Sequence, residues 1–166
     1  MFPACSPYGK FAYYLNFDHP EKIRRISVED GSISEIGDVL GDTLFGNIVV
    51  SPDGKYLAYP YQQYSPPVVE LAVIPSGGGT AINKFQVPGF LGTLRWSPDG
   101  KALHYVLTSN GASNIWEQSL SALKPKQLTH FNSGEIFDFS WTADHEALLM
   151  TRGQSKRDVV LMSHRE

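Results

Sequence analysis

The stretch Trp96-Ser97-Pro98-Asp99-Gly100-Lys101-Ala102-Leu103-His104-Tyr105-Val106 joins a tight turn to an apolar run, and it has three counterparts in the chain. SPDGK recurs at 51–55, SPYGK stands at 6–10 and TADHE at 142–146, so the offsets are 45, 46 and 45 residues. Behind each comes an aromatic or aliphatic run: Phe11-Ala12-Tyr13-Tyr14, Tyr56-Leu57-Ala58-Tyr59, Ala102-Leu103-His104-Tyr105 and Ala147-Leu148-Leu149-Met150. A second apolar run keeps the same phase, beginning at Ile23, Val69, Ile115 and Val159. Four units in phase at three columns mark a tandem repeat, and a period in the mid-forties with several short strands per unit fits one four-stranded propeller blade.

The pentapeptide has a physical reason. Ser-Pro-Asp-Gly suits a type I turn: Ser accepts backbone hydrogen bonds, Pro presets φ at about −65°, Asp occupies the bridge region and Gly takes the left-handed position that closes a bulged hairpin. Pro7, Gly9, Pro52, Asp53, Gly54, Pro98, Asp99 and Gly100 are therefore read as turn residues, and Asp53 and Asp99 as turn carboxylates rather than catalytic acids or metal ligands. Two units depart from the pattern. Tyr8 replaces the Asp of the first, and the last, Thr142-Ala143-Asp144-His145, puts a residue with a Cβ at the left-handed position, at a cost of roughly 1 kcal/mol.

Within a unit the expected order is an inner strand before the turn (47–50, 93–96, 137–141), a second strand after it, a third (23–28, 69–74, 115–120, 159–162) and an outer fourth (33–36, 81–87, 125–130). Gly31 and Gly77-Gly78-Gly79 supply turns before the fourth strand. The predicted fold is all-β: one domain over 1–166 made of four propeller blades, at about 2–38, 46–87, 93–130 and 136–166. Each blade is a four-stranded antiparallel sheet, the last lacking its outer strand, and the ring is incomplete. A Met set directly against a repeat strand suggests a chain cut from something longer.

WSPDGKALHYV, SNIWEQSL, PKQLTHF and VVSPDGKYLAYPY resemble TolB-like propeller repeats, relatives of the WD-type repeat. The resemblance covers nearly the whole chain and is specific for architecture. PKQLTHFNSGEIFDFSW, with RDVVLM near the end, is further similar to the C-terminal propeller of bacterial receptor-type serine/threonine kinases. This implies a sensor or interaction domain attached to a signalling module, and it leans towards an extracytoplasmic or periplasmic location that the residues themselves do not require. No kinase glycine loop, HRD or DFG occurs in the chain.

Composition narrows the partners. The chain has 166 residues, 42% hydrophobic and 19% charged, which describes an ordinary folded soluble protein. With a formal charge of −3 and basic residues scattered apart from Lys22/Arg24/Arg25 and Lys156/Arg157, there is no stripe to neutralise a row of phosphates, so nucleic acid is not an expected partner. The start, MFPACSPYGK, has neither the basic nor the continuous apolar region of a signal peptide. No later stretch approaches the ~20 apolar residues of a membrane span, so direct membrane insertion is not expected. The single cysteine, Cys5, excludes an internal disulfide and reads as a buried inert thiol.

Chemical signatures are missing. No GxSxG, HExxH or GxxxxGK[ST] is present, and His19, His104, His130, His145 and His164 lack metal-ligand spacing. No catalytic residue, metal site or cofactor is assigned. The loops entering inner strands (38–46, 88–92, 130–135) and those joining second to third strands (18–20, 61–64, 109–111, 152–157) gather on one face of a propeller, the expected contact surface. Its candidate partner-binding residues are Phe45, Tyr61, Tyr64, Phe90, Phe131 and Arg152, because aromatic and Arg side chains so placed are frequent protein anchors. The same aromatics could instead pack on blade edges. Trp96 and Trp141 share a repeat column and are expected to pack blade on blade, whereas Trp116 lies on a third strand.

The function that follows is a non-catalytic protein-interaction or sensory module of a larger bacterial signalling protein, binding a protein or peptide at the loop face and self-associating through open blade edges. The alternative is the gating, substrate-access propeller of a serine peptidase-type hydrolase. Binding of a carbohydrate or other small ligand in the channel is a third possibility, for which the sequence offers no discriminating residue.

Overall fold

The computed structural model describes residues 3–15, 22–44, 46–89 and 91–154. These contain fifteen strands and no helix, arranged in four antiparallel sheets. The first sheet runs in order β1 (Ala4–Cys5), β2 (Phe11–Leu15), β3 (Lys22–Ser27) and β4 (Ile33–Asp38). In the second, β5 (Thr43–Leu44) and β6 (Val49–Val50) both pair with β7 (Tyr56–Tyr64), followed by β8 (Pro67–Pro75) and β9 (Asn83–Gln86). The third is β10 (Leu91–Trp96), β11 (Ala102–Ser109), β12 (Ala112–Ser119) and β13 (Lys126–Gln127). The fourth pairs β14 (Glu135–Trp141) with β15 (Leu148–Gly153). The third strand expected at 159–162 lies outside the described residues.

Three of the four turns use one set of bonds. Ser51 Oγ accepts from Tyr56 N at 2.9 Å and donates to Asp53 Oδ1 at 2.7 Å, while Asp53 accepts from Lys55 N at 3.1 Å. Ser97, Asp99, Lys101 and Ala102 repeat this pattern, and Thr142, Asp144, Glu146 and Ala147 repeat it again. In the first turn, where Tyr8 brings no carboxylate, only the Phe11 N to Ser6 Oγ bond remains, at 3.0 Å. The closing position has φ of +67° at Gly9, +73° at Gly54, +69° at Gly100 and +63° at His145. A Cβ built on Gly54 would lie 3.6 Å from Pro7 Cδ, and one on Gly100 3.6 Å from Pro52 Cδ. The second and third turns thus each rest against the proline of the turn before, as hairpins fanned about one axis would.

Between neighbouring sheets lie separate apolar layers. Tyr13, Ile23 and Ile36 of the first meet Leu57, Tyr59, Ala72 and Ile74 of the second. Ala58, Leu71 and Val73 meet Leu94, Trp96, Leu103 and Tyr105 of the third. Val106 and Ile115 meet Ile136 and Phe139 of the fourth. Leu57, Ala58 and Tyr59 are all fully buried because alternate side chains of β7 point to opposite faces and both faces are covered. Each such large side chain contributes on the order of 1.5–3 kcal/mol by leaving water. The architecture is an incomplete β-propeller, its inner strands meeting in the succession β1, β6, β10, β14.

Three details differ from the sequence reading. The inner strand of the second sheet begins inside the segment read as a loop, 38–46, and is split: Leu44 faces Tyr61 and Val49 faces Ala58, so five steps along one strand oppose three along the other. Pro60, which sits in that gap, has no N–H to offer an inner strand. Secondly, 61–64 is strand, not loop: β7 continues through Tyr64 and β8 starts at Pro67. Thirdly, Cys5 is exposed, because it has no neighbouring sheet on its side.

Candidate functional site

At the end of the blades opposite the Ser-Pro-Asp-Gly turns, the third and fourth sheets carry two linked features, a fixed aromatic–arginine pair and a polar cleft. Phe131 is held by Asn114, whose Oδ1 accepts the Phe131 N–H at 2.7 Å and whose Nδ2 donates to the Phe131 carbonyl at 3.1 Å. Asn114 Oδ1 also accepts from Thr129 Oγ1 at 3.1 Å. The guanidinium of Arg152 lies 3.7 Å from the centre of the Phe131 ring and donates from Nη2 to the Ser133 carbonyl at 2.6 Å. The stacking attraction, about 0.5–1 kcal/mol at an exposed site, is small, but with the Ser133 bond it fixes a long side chain.

Beside this pair, Ser109, Asn110, Asn114, Gln127, Asn132 and Trp116 line a cleft of about 450 Å³, closed by Pro88, Leu107, Ala112 and Phe131. The register places Ala112 opposite Ser109, Asn114 opposite Leu107 and Trp116 opposite Tyr105. The hairpin tip is an Asn110-Gly111 pair with φ of +51° and +75°, the left-handed pair that a two-residue hairpin requires. Charged side chains are missing from the lining.

The other candidates fall elsewhere. Phe45 and Phe90 lie outside the described residues. Tyr61 is not a loop anchor: it is 1% exposed in β7, and its hydroxyl donates to Glu70 Oε2 at 2.6 Å. Burial, and then the Glu70 carboxylate, push its phenol well above the usual range, so it stays a neutral donor. Tyr64 is 59% exposed at the end of β7, its N–H bonded to Asp42 Oδ2 at 2.6 Å. Of the six residues selected from sequence, the fold brings together Phe131 and Arg152. Asn114 and Gln127 carry no spacing signal, because a sidedness shared between β12 and the 127–132 segment leaves none; Trp116 and Asn132 stand in the sequence only as a third-strand Trp and a member of the 130–135 loop.

Nearer the axis, a recess of about 650 Å³ lies between the inner strands of the second and third sheets and Asp138. Arg95 spans it, donating from Nη2 to both Asp138 oxygens at 3.0 and 3.2 Å and from Nε to the Phe139 carbonyl. Among the described residues there is no group of three or more His, Cys, Asp and Glu placed to hold a metal, and no helix is long and apolar enough to cross a membrane.

Such sheets, stacked turn on turn about an axis, define a β-propeller segment. No protein-family model and no curated protein sequence matches the chain. Its fold is TolB-like: TolB from Acinetobacter baumannii superposes with a TM-score of 0.72 at 21% identity, over 95% of this chain and 39% of that one. The structure of a nidogen/laminin complex matches with a TM-score of 0.68 at 15% identity, over 90% of this chain and 55% of that one. Acylaminoacyl peptidase of Pyrococcus horikoshii matches with a TM-score of 0.64 at 14% identity, over 82% of this chain and 26% of that one. The chain spans between a quarter and about half of these proteins, and at such identities what it shares with them is the fold.

Proposed function

We propose that the chain is a non-catalytic recognition segment, a protein-interaction or sensory propeller within a larger bacterial signalling protein, working outside the cytoplasm. The observation that carries this reading is the Phe131–Arg152 pair. Aromatic and Arg side chains dominate protein-binding hot spots, and a pair already locked by Asn114 and Ser133 loses little further freedom on binding. The likeness to a protein solved as a nidogen/laminin complex is in keeping with a propeller that binds protein.

The test is retention of proteins from bacterial periplasmic extract on the immobilised chain, compared with Arg152→Glu and Phe131→Ala variants of unchanged circular dichroism. A partner held by the native chain and lost by both variants is the expected result. Equal retention would remove the loop face from the proposal. A second reading, the substrate-access propeller of a serine peptidase-type hydrolase, has in its favour the likeness to acylaminoacyl peptidase. A hydrolase domain encoded beside these repeats would select it, and a kinase or DNA-binding domain would select the first.

A further inference from the structure

We propose that the cleft on the third blade binds a neutral saccharide. Its chemistry is specific in three respects. Half of its ten lining residues are uncharged polar side chains, and Asp, Glu, Lys and Arg are missing from the lining, so it offers no charge-assisted partner to a phosphate, carboxylate or cation. It also holds unused hydrogen-bonding capacity. The indole N–H of Trp116, the amides of Asn110 and Asn132 and the hydroxyl of Ser109 have no partner among the described residues, while Gln127 uses its Nε2 on the Thr129 carbonyl at 2.7 Å and keeps its Oε1. Finally, two aromatic residues, Trp116 and Phe131, are among those lining the same space.

A ligand must satisfy donors and acceptors together while presenting apolar surface to two rings. An apolar peptide side chain would cover these amides without bonding them, and each group left so costs about 1–3 kcal/mol. Sugar hydroxyls donate and accept at once, matching amide N–H and C=O alike, and the C–H faces of a pyranose ring supply the apolar contact. The cleft is also rigid where it matters. Asn114 makes three hydrogen bonds to Phe131 and Thr129, so it fixes the wall, and the free groups sit on strand β12 or next to it. The turn accounts for Asn110, whereas the indole of Trp116 is left unbonded when those of Trp96 and Trp141 are bonded.

The three indole N–H resonances make the test direct. The 15N-labelled chain is titrated with N,N′-diacetylchitobiose, cellobiose and maltose, with signals assigned from Trp116→Phe and, should that variant unfold, from Asn132→Ala. The expected result is a saturable shift of the Trp116 indole and Asn132 amide with at least one sugar at Kd of about a millimolar or tighter. Trp96 and Trp141 should stay in place. Asn132→Ala combined with Gln127→Ala should weaken binding at least about tenfold with the remaining spectrum retained. No saturable shift with any of the three sugars at ~20 mM would overturn the proposal. So would binding unchanged in the double variant, or the same resonances moving instead with a capped uncharged peptide. None of these outcomes decides the protein-contact reading, which rests on the Phe131–Arg152 pair and is judged by retention on the Arg152→Glu variant, Arg152 lying outside the cleft lining.

Discussion

The indole N–H of Trp141 donates to Nδ1 of His104 at 3.1 Å, across the boundary between the third and fourth blades. His104 is 1% exposed, and its Nε2 lies 2.9 Å from Glu117 Oε2. Because Nδ1 accepts from the indole, Nε2 carries the proton and donates to the carboxylate. The imidazole is therefore a bracket between two blades, with both nitrogens occupied.

Trp141→Phe removes the donor and leaves His104 Nδ1 unpaired in a buried setting. The loss should be about 1–3 kcal/mol, read as a lower urea midpoint with unchanged far-ultraviolet circular dichroism. A variant as stable as the native chain would show that the bracket contributes nothing to blade coupling.

His145→Gly should stabilise the chain. His145 holds φ at +63° where the other three turns have Gly, and a Cβ there costs about 1–2 kcal/mol. Part of the gain is offset by the greater freedom of Gly in the unfolded chain. A rise in melting temperature of about 2–4 °C is expected, and a clear fall would contradict the turn geometry.

Adjacent glycines should respond in opposite ways. A Cβ on Gly78 would lie 2.3 Å from the Ile36 carbonyl oxygen, where the first two blades touch, and φ there is +95°. A Cβ on Gly77 would meet nothing within 4 Å. Gly78→Ala should cost upwards of 2 kcal/mol or so and Gly77→Ala about 0.5 kcal/mol or less, measured as paired urea titrations. Equal losses would mean that the blades do not approach through Gly78.

Acid should loosen the turns. The carboxyls of Asp53, Asp99 and Asp144 are held below their ordinary value, first by the hydroxyls of Ser51, Ser97 and Thr142 and then by the backbone N–H two residues on. A folded pKa below the unfolded one gives stability that is present above the unfolded value and lost as pH falls through the folded one. Melting temperature should thus be level above about pH 5 and fall below about pH 4, and Asp53→Asn with Asp99→Asn should flatten that fall. An equally steep decline in the double variant would assign acid sensitivity elsewhere.

Self-association is expected through the outer faces of the end blades. Ile33 and Val28 of the first blade are 59% and 65% exposed, and Leu149, opposite in facing to the packed Leu148 and Met150, is 60% exposed. In a propeller such faces are covered by a further blade. Light scattering at tens of micromolar should show mass rising with concentration, and Ile33→Lys with Leu149→Lys should reduce it. A strict monomer throughout would contradict the self-association expected from open blade edges.

Sequence alone determined the repeat and the turn chemistry, because each is a local property. A Ser-Pro-Asp-Gly turn is specified by its own φ values and hydrogen bonds, whereas the burial of Leu57, Ala58 and Tyr59 on both faces of β7 needs the neighbouring blades. The tertiary structure decided the site. Tyr61 reads as a loop aromatic from its neighbours and becomes a buried donor to Glu70 only because β7 runs on to Tyr64. Phe131 and Arg152 were legible as candidates singly, but their stacking and the cleft joining Trp116 to Asn132 depend on contacts between segments that no spacing along the chain encodes.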